Sequence, residues 1–211
     1  MPFVNNWAAL GPGAPVIVLL LGLSVVATAI VLLQLWQWRG VRLRPPVWVD
    51  AAVTDWKKGE SPDARAHLAG QQDPLSMALL SGMAASPRGE PGEAFREAFE
   101  RQGAASLLQL RYGLRTLEVI GQLAPLIGLF GTVLGMIDAF QALEAAQGPV
   151  DPGALSGGIW TALITTAAGL ALAIPCVLIF NLLEQRVVRL AHAMDELLSR
   201  TLYPGAVDDT P

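Results

Sequence analysis

Two segments of this sequence contain no lysine or arginine, and this gap pattern constrains the fold more than any other feature. All 14 basic residues fall within 39–115 or 186–200, so 1–38 and 116–185 have none. An uncharged apolar run of about 20 residues can cross the hydrocarbon core of a bilayer as a helix. The sequence is 53% hydrophobic and only 15% charged. Such a composition is typical of integral membrane proteins and excludes a large water-soluble core.

The first uncharged segment predicts one transmembrane helix over 15–38. Residues 15–35 form an apolar run of 21 residues, interrupted by Ser24, Thr28 and Gln34. The uncharged start and the length of the run favour a retained helix over a cleaved signal peptide. Trp36 and Trp38 at its end are predicted to be interfacial anchors.

The second uncharged segment predicts two further transmembrane helices, over 116–143 and 157–183. The intervening segment 144–156 contains proline and glycine and is predicted to be a loop. Lysine and arginine bias places flanking segments in the cytoplasm. We therefore expect 39–115 and the C-terminal helix and tail, 184–211, to be cytoplasmic, and 1–14 and the loop to lie outside. The predicted fold class is an all-α integral membrane protein with three transmembrane helices.

The cytoplasmic segments are predicted to be helical. Residues 49–59, 61–70 and 73–86 each show apolar positions at helical spacing between glycine or proline breakers. From Glu93 the pattern runs without a strong breaker into the second span, which predicts one long helix to residue 143. The third span should likewise continue past residue 183. Its apolar stripe there is expected to pack on the second helix and consists of Val187, Leu190, Ala191, Met194, Leu197 and Leu198.

Hydroxyl side chains on the second and third spans are the candidate functional residues: Thr132, Thr161, Thr165 and Thr166. A polar group at membrane depth usually faces a partner helix or a wet pathway. We therefore interpret these threonines as parts of an ion path. The alternative is that Thr132 and Thr166 each bond the carbonyl four residues earlier, Gly128 and Ala162.

Small residues and prolines accompany these threonines. Gly128, Gly131 and Gly135 are predicted to allow close helix packing, because the 131–135 spacing is a small-xxx-small signature. Pro125 and Pro175 each remove a backbone hydrogen bond within a span and are predicted to introduce kinks. Asp138 lies near the outer end of the second span, either as a point where ions enter the path or as a solvated boundary residue.

Neither span offers an acid, histidine or lysine at mid-depth, although a proton relay within lipid needs a titratable group. A proton-binding carboxylate is therefore expected from another chain. His67 and His192 lie outside the spans, Cys176 has no partner for an intrachain disulfide, and no enzyme motif is present. We expect no enzymatic activity, no metal, no cofactor and no nucleic-acid partner.

The stretches APLIGLFGTVLGMIDAF and GIWTALITTAAGLALAIPCVLIFN resemble the MotA/TolQ/ExbB proton-channel family, most closely its ExbB/TolQ branch. The resemblance is at the level of motifs over residues 117–183, and the three-span topology extends it to nearly the whole chain. The MotA branch, with four spans, fits less well.

The resemblance implies a homo-pentamer around a dimer of a single-span ExbD/TolR-like protein, whose transmembrane aspartate binds the proton. Thr132 and Thr166 match the pore-facing threonines of the family. The complex would use the proton motive force of the bacterial inner membrane to work on a TonB/TolA-like effector in the periplasm. One departure is Thr161, where several ExbB proteins carry glutamate. The alternatives are a sodium-driven, gliding-type or flagellar-type stator subunit, and a non-conducting scaffold.

Overall fold

The computed structural model describes residues 13–39, 41, 43–86, 92–145 and 152–203, and these form six helices with no strand among them. The helices are α1 (Ala14–Trp38), α2 (Val47–Lys57), α3 (Ser61–Leu68), α4 (Pro74–Ala85), α5 (Glu93–Ala145) and α6 (Pro152–Leu202). Residues 1–12 of the predicted outer N-terminus, 146–151 of the predicted loop and 204–211 of the predicted tail lie outside the described part.

Three of these helices, α1, α5 and α6, are long and apolar enough to cross a membrane. Helix α5 is one continuous element of 53 residues, in agreement with the long helix predicted from Glu93. Helix α6 begins at Pro152, before the predicted start of the third span at residue 157, because proline is well suited to the first turn of a helix. Both α5 and α6 continue through their internal prolines, Pro125 and Pro175.

The chain divides into two compact units. Unit 1 comprises residues 1–33 and 113–181, and unit 2 comprises 34–112 and 182–211. In unit 1, α1 packs one side on α5 and α6. Val16 and Leu20 form a buried cluster with Ala124 and Ala173. A second cluster consists of Ala27, Leu117, Ile120 and Cys176. The remaining surface of α1 is apolar and exposed, as expected for a helix in contact with lipid.

Unit 2 contains the three short helices, each within a few residues of its predicted position, together with the cytoplasmic parts predicted for α5 and α6. Its core includes aromatic contacts: the rings of Trp56 and Phe95 lie 5.9 Å apart, and Phe99 stacks on Phe95 at 6.3 Å. Asp73 caps α4, because its carboxylate accepts a hydrogen bond from the Ser76 backbone N–H at 3.1 Å. This hydrogen bond stabilises the first turn of α4.

Four of the six residues of the apolar stripe predicted on α6 are buried in unit 2, and Ala191 and Leu198 are half-buried. Val187, Leu190, Met194 and Leu197 are all at most 4% exposed. A Cβ placed on Gly103 of α5 would lie 3.3 Å from the sulfur of Met194, which confirms that the stripe packs on α5. An ion pair of 3.2 Å joins Arg111 of α5 to Glu184 of α6 beside this contact.

Of the two tryptophans predicted to be interfacial anchors, Trp36 is exposed at the end of α1, and its anchoring role stays a prediction. Trp38 is buried, because its indole N–H donates to the side-chain oxygen of Gln34 at 3.2 Å. Gln34 is also buried, and its amide reaches the Leu110 carbonyl at 3.5 Å. The prediction for Trp38 is therefore wrong: this residue is buried beside Gln34, and Gln34 links the end of α1 to α5.

Candidate functional site

The two helices that carry the threonines, α5 and α6, meet in unit 1 through a seam of small residues. A Cβ placed on Gly128 would lie 2.8 Å from the carbonyl oxygen of Thr165, and one on Gly169 would lie 2.5 Å from that of Ala124. Real side chains do not approach backbone atoms so closely. The backbones of α5 and α6 are therefore in direct contact at this level.

The seam continues towards the outer ends predicted for both helices. A Cβ on Gly131 would lie 2.6 Å from the Thr165 side chain, and one on Gly135 would lie 3.1 Å from the Cβ of Ala162. All three glycines predicted from the sequence thus lie in the contact. The α6 half was not predicted, although its small residues recur at helical spacing, at Gly158, Ala162, Thr165 and Gly169.

Thr165 is completely buried within this seam. Its hydroxyl lies 2.7 Å from the carbonyl oxygen of Ala162 in its own helix and 3.2 Å from that of Gly128 in α5. Two backbone carbonyls of different helices thus compete for the single proton of one side chain. The neighbouring Thr166, which is half-buried, donates its hydroxyl to the same Gly128 oxygen at 3.2 Å.

These contacts decide between the alternatives that the sequence left open for Thr166. Its hydroxyl bonds the facing helix, whereas the Ala162 carbonyl is used by Thr165. Thr132 behaves in the opposite way, since its hydroxyl donates to the Leu129 carbonyl of its own helix at 2.6 Å. That carbonyl is three residues earlier, rather than four.

Thr161 also bonds its own helix, through the Gly157 carbonyl at 3.0 Å. Its methyl group faces the start of α1, where a Cβ on Gly13 would lie 2.9 Å away. The structure therefore brings Thr165 and Thr166 together at Gly128, and hydrogen-bonds Thr132 and Thr161 locally.

What these threonine hydroxyls can bind depends on which groups accept their protons. A threonine hydroxyl has one proton to donate and two lone pairs that accept. In Thr132 and Thr166 the proton is directed to a backbone carbonyl. The oxygen of each can then accept a hydrogen bond from a protonated carboxyl group or water, or coordinate a cation.

The exposed surface of α5 in unit 1 contains one wholly apolar stripe. Its members are exposed and recur at steps of three and four residues: Val119, Leu123, Leu126, Phe130, Val133 and Ile137. This stripe has the composition of a lipid-facing surface. Thr132 is half-buried and lies beside it.

Asp138 is exposed and belongs to a different face of α5. Six residues separate it from Thr132, which corresponds to a rotation of about 120° between the two side chains around the helix axis. Its position near the end of α5 keeps its carboxylate away from the Thr165 and Thr166 contacts. In the described part of the chain, no group of three histidine, cysteine or acidic side chains is placed to hold a metal ion.

The region that contains the seam is similar to known proteins. The model of the MotA/TolQ/ExbB proton channel family matches residues 69–196, which include the whole seam. The chain is 41% identical to the biopolymer transport protein exbB1 of Vibrio cholerae serotype O1 over 91 residues, 41% of this chain and 40% of that protein.

Two longer matches are to putative proteins of Synechocystis sp. The ExbB-like 1 protein is 35% identical over 178 residues, which is 81% of this chain and 67% of the relative. The ExbB-like 3 protein is 30% identical over 178 residues, 84% of each chain. A putative ExbB homolog of Methanothermobacter thermautotrophicus is 31% identical over 69% of this chain and 50% of its own length. The chain thus matches half or less of the V. cholerae and M. thermautotrophicus relatives.

Proposed function

This chain belongs to the MotA/TolQ/ExbB proton channel family, and from this membership we propose that it is the channel-forming subunit of an ExbB–ExbD-like or TolQ–TolR-like complex. In this proposal the complex lies in the bacterial inner membrane and couples proton flow to mechanical work on a TonB/TolA-like effector in the periplasm. The relatives named biopolymer transport proteins support an energising role.

The proposed assembly is a homo-pentamer around a dimer of a single-span partner. This arrangement is supported by the absence of a mid-depth carboxylate from the spans of this chain, because the proton-binding aspartate must then come from another protein. The distribution of lysine and arginine supports an N-terminus outside and a C-terminus in the cytoplasm.

Within this assembly, we assign Thr132 and Thr166 to the wall of the ion path. Both are partly exposed in the subunit, and both have hydroxyl protons directed to backbone carbonyls. Their oxygens therefore act as acceptors for a protonated partner carboxyl or for water that carries the proton. Thr165, which is fully buried, positions the two helices, and Thr161 lies beside the start of α1.

The observation that carries the proposal is the hydrogen bond of Thr166 across the close-packed seam of α5 and α6, with Thr132 directly after Gly131 of the same seam, inside the region matched by the family. Helix pairs this close need small residues, and partly exposed hydroxyls beside such a seam are costly in contact with lipid. A water-filled pathway beside the seam would let both hydroxyl oxygens accept hydrogen bonds.

The proposal predicts that Thr132→Val and Thr166→Val each reduce partner-dependent proton flux by about tenfold or more. Flux is measured in proteoliposomes that contain this chain and its single-span partner. Thr28→Val is the matched control, because Thr28 lies in α1 and its hydroxyl bonds the Ser24 carbonyl of its own helix at 2.7 Å. Normal flux in both variants would overturn the assignment of these residues, and a wild-type complex without flux would favour a non-conducting scaffold.

A sodium-driven stator is the second candidate, and one observation favours it. The hydroxyl oxygens of Thr132 and Thr166 are available as acceptors. Oxygen ligands of this type suit a hard monovalent cation. Flux that depends on sodium at constant pH would decide for this candidate, and flux unchanged by replacing sodium with choline would decide for protons.

A further inference from the structure

The exposed surface of α5 in unit 1 has a second stripe, which is polar at one end and reaches Thr132 at the other. We call it the Thr132 stripe. Its members recur at steps of three and four residues and are Arg115, Glu118, Gln122, Pro125, Leu129 and Thr132. In a helix of 3.6 residues per turn these positions share one face. Glu118 and Thr132 are about 21 Å apart along the axis, at 1.5 Å per residue.

Glu118 is held in place by neighbours on the same stripe. One of its carboxylate oxygens lies 3.1 Å from an Arg115 guanidinium nitrogen. The other accepts a hydrogen bond from the Gln122 side-chain amide at 3.3 Å. The Glu118 side chain is 25% exposed, whereas that of Arg115 is 80% exposed. A partly covered carboxylate is thus fixed between a charged group in solvent and an amide further into the predicted span.

The apolar stripe beside it defines the environment of this carboxylate. The face of α5 that carries Val119, Leu123 and Leu126 presents only hydrocarbon and suits lipid. A charged side chain within a membrane helix is costly in contact with lipid, and such residues normally face protein or a water-filled cavity. The two stripes therefore differ: one presents only hydrocarbon, and the other carries Glu118, Gln122 and Thr132 together with the apolar Pro125 and Leu129.

Asp138, the other carboxylate within the span predicted for α5, does not share this surface. The twenty residues between Glu118 and Asp138 place the two side chains on nearly opposite sides of the helix, about 160° apart. The inner end of the Thr132 stripe thus has a carboxylate that is aligned with Thr132, whereas the outer carboxylate lies on another face.

We propose that Glu118 forms the inner mouth of the ion path, where it relays protons between the water along the Thr132 stripe and the water beyond Arg115. The ionised carboxylate accepts one proton from the water on the Thr132 side. It then releases one proton to the water beyond Arg115 and returns to its ionised form. Arg115 and Gln122 orient the carboxylate for this exchange. The inference rests on the proposed function, because it requires a complex that conducts protons.

The test compares Glu118→Gln with Glu184→Gln in the full complex with its single-span partner, reconstituted in proteoliposomes. Glu184 is a matched control, because it also pairs with an arginine, Arg111, at 3.2 Å and its side chain is 31% exposed. We expect Glu118→Gln to lower proton flux by about tenfold or more. Glu184→Gln should leave flux within about twofold of the wild type, since an isolated surface ion pair contributes little. Glu118→Asp, which keeps a carboxylate, should restore flux to within about threefold of the wild type.

Each outcome decides the matter. Equal flux for Glu118→Gln and the wild type overturns the inference and leaves the proposed function intact. An equal loss in both glutamine variants, or a loss in Glu118→Asp as large as in Glu118→Gln, also overturns it, because the effect would then come from structure rather than from proton exchange. A wild-type complex that conducts no protons overturns the proposed function together with the inference. If Glu118→Gln fails to assemble with the partner on size-exclusion chromatography, flux in the assembled Glu118→Asp complex decides alone.

Discussion

The carbonyl oxygen of Gly128 lies within 3.2 Å of two threonine hydroxyls of the facing helix. Glycine makes this possible, because any side chain at position 128 would meet the backbone of Thr165 and Thr166. The two adjacent threonines therefore have different environments. Thr165 lies entirely between the helices, while Thr166 keeps part of its surface free.

At this scale we predict that Thr165→Val lowers the free energy of unfolding by about 1 kcal/mol, because polar contacts between membrane helices contribute roughly 0.6 to 2 kcal/mol. The substitution keeps the shape of the side chain and removes its hydroxyl. Unfolding is measured by titrating the protein from mild detergent into dodecyl sulfate. Thr165→Ser should retain most of the stability, and Thr28→Val should have a smaller effect than Thr165→Val. A destabilisation by Thr28→Val as large as that by Thr165→Val would contradict the prediction.

At the scale of helices, α5 and α6 approach through glycine and alanine instead of large apolar side chains. Within a bilayer there is little hydrophobic drive to bring apolar helices together, so close van der Waals contact contributes much of the stability. The contact between Gly169 and the Ala124 carbonyl illustrates how little space is left. Helix pairing in unit 1 therefore depends on residues that have almost no side chain.

Gly128→Ala is accordingly expected to destabilise the protein by about 1–3 kcal/mol, the usual cost of overpacking a filled interior. The new methyl group would lie 2.8 Å from a backbone oxygen, which cannot rotate away. Gly22→Ala is the matched control in α1, because among the described residues nothing beyond its chain neighbours and its own helix backbone lies within 4 Å of the position of its new Cβ. Thermal unfolding in detergent, followed by circular dichroism, should separate the two variants, and equal melting temperatures would disprove this account of the seam.

The helices themselves were largely predictable from the sequence, and their rotation was not. Apolar runs and breakers located all six elements, because these signals are local. The environment of Thr132 or Thr165 depends instead on which face of each helix is turned inward, and this is set by contacts between residues about 40 positions apart. The small residues at Gly158, Ala162 and Gly169 contained that information at helical spacing. Trp38 was misjudged for a similar reason, since its burial depends on Gln34 and Leu110.

At the scale of the whole molecule, three long apolar helices and membership of the family identify a multi-pass membrane protein. The basic residues between α1 and α5, and those after position 185, favour one orientation of all three helices. Because the sequence has a single cysteine, Cys176, this orientation can be tested with introduced thiols.

In a Cys176→Ser background we predict that Ser156→Cys reacts with a membrane-impermeant maleimide added outside spheroplasts. Tyr203→Cys should react only after the membrane is permeabilised. Both positions are exposed in the structure, so a failure to react reports on the side of the membrane rather than on burial. The reverse labelling pattern would show that the proposed topology is inverted.

The seam between α5 and α6 also has a consequence for genetics. Where a new methyl group would clash with a side chain, a second mutation on the facing helix can relieve the clash. In Gly158→Ala the new Cβ would lie 2.5 Å from the Cβ of Ala139. Ala139→Gly should therefore suppress the defect of Gly158→Ala. At Gly128 and Gly169 the nearest atoms are backbone atoms of the facing helix, which are present whatever the amino acid at that position. No substitution at the facing positions can remove these backbone atoms. Alleles at these two glycines should therefore have no suppressors on the opposite helix, and revertants should restore the glycine itself.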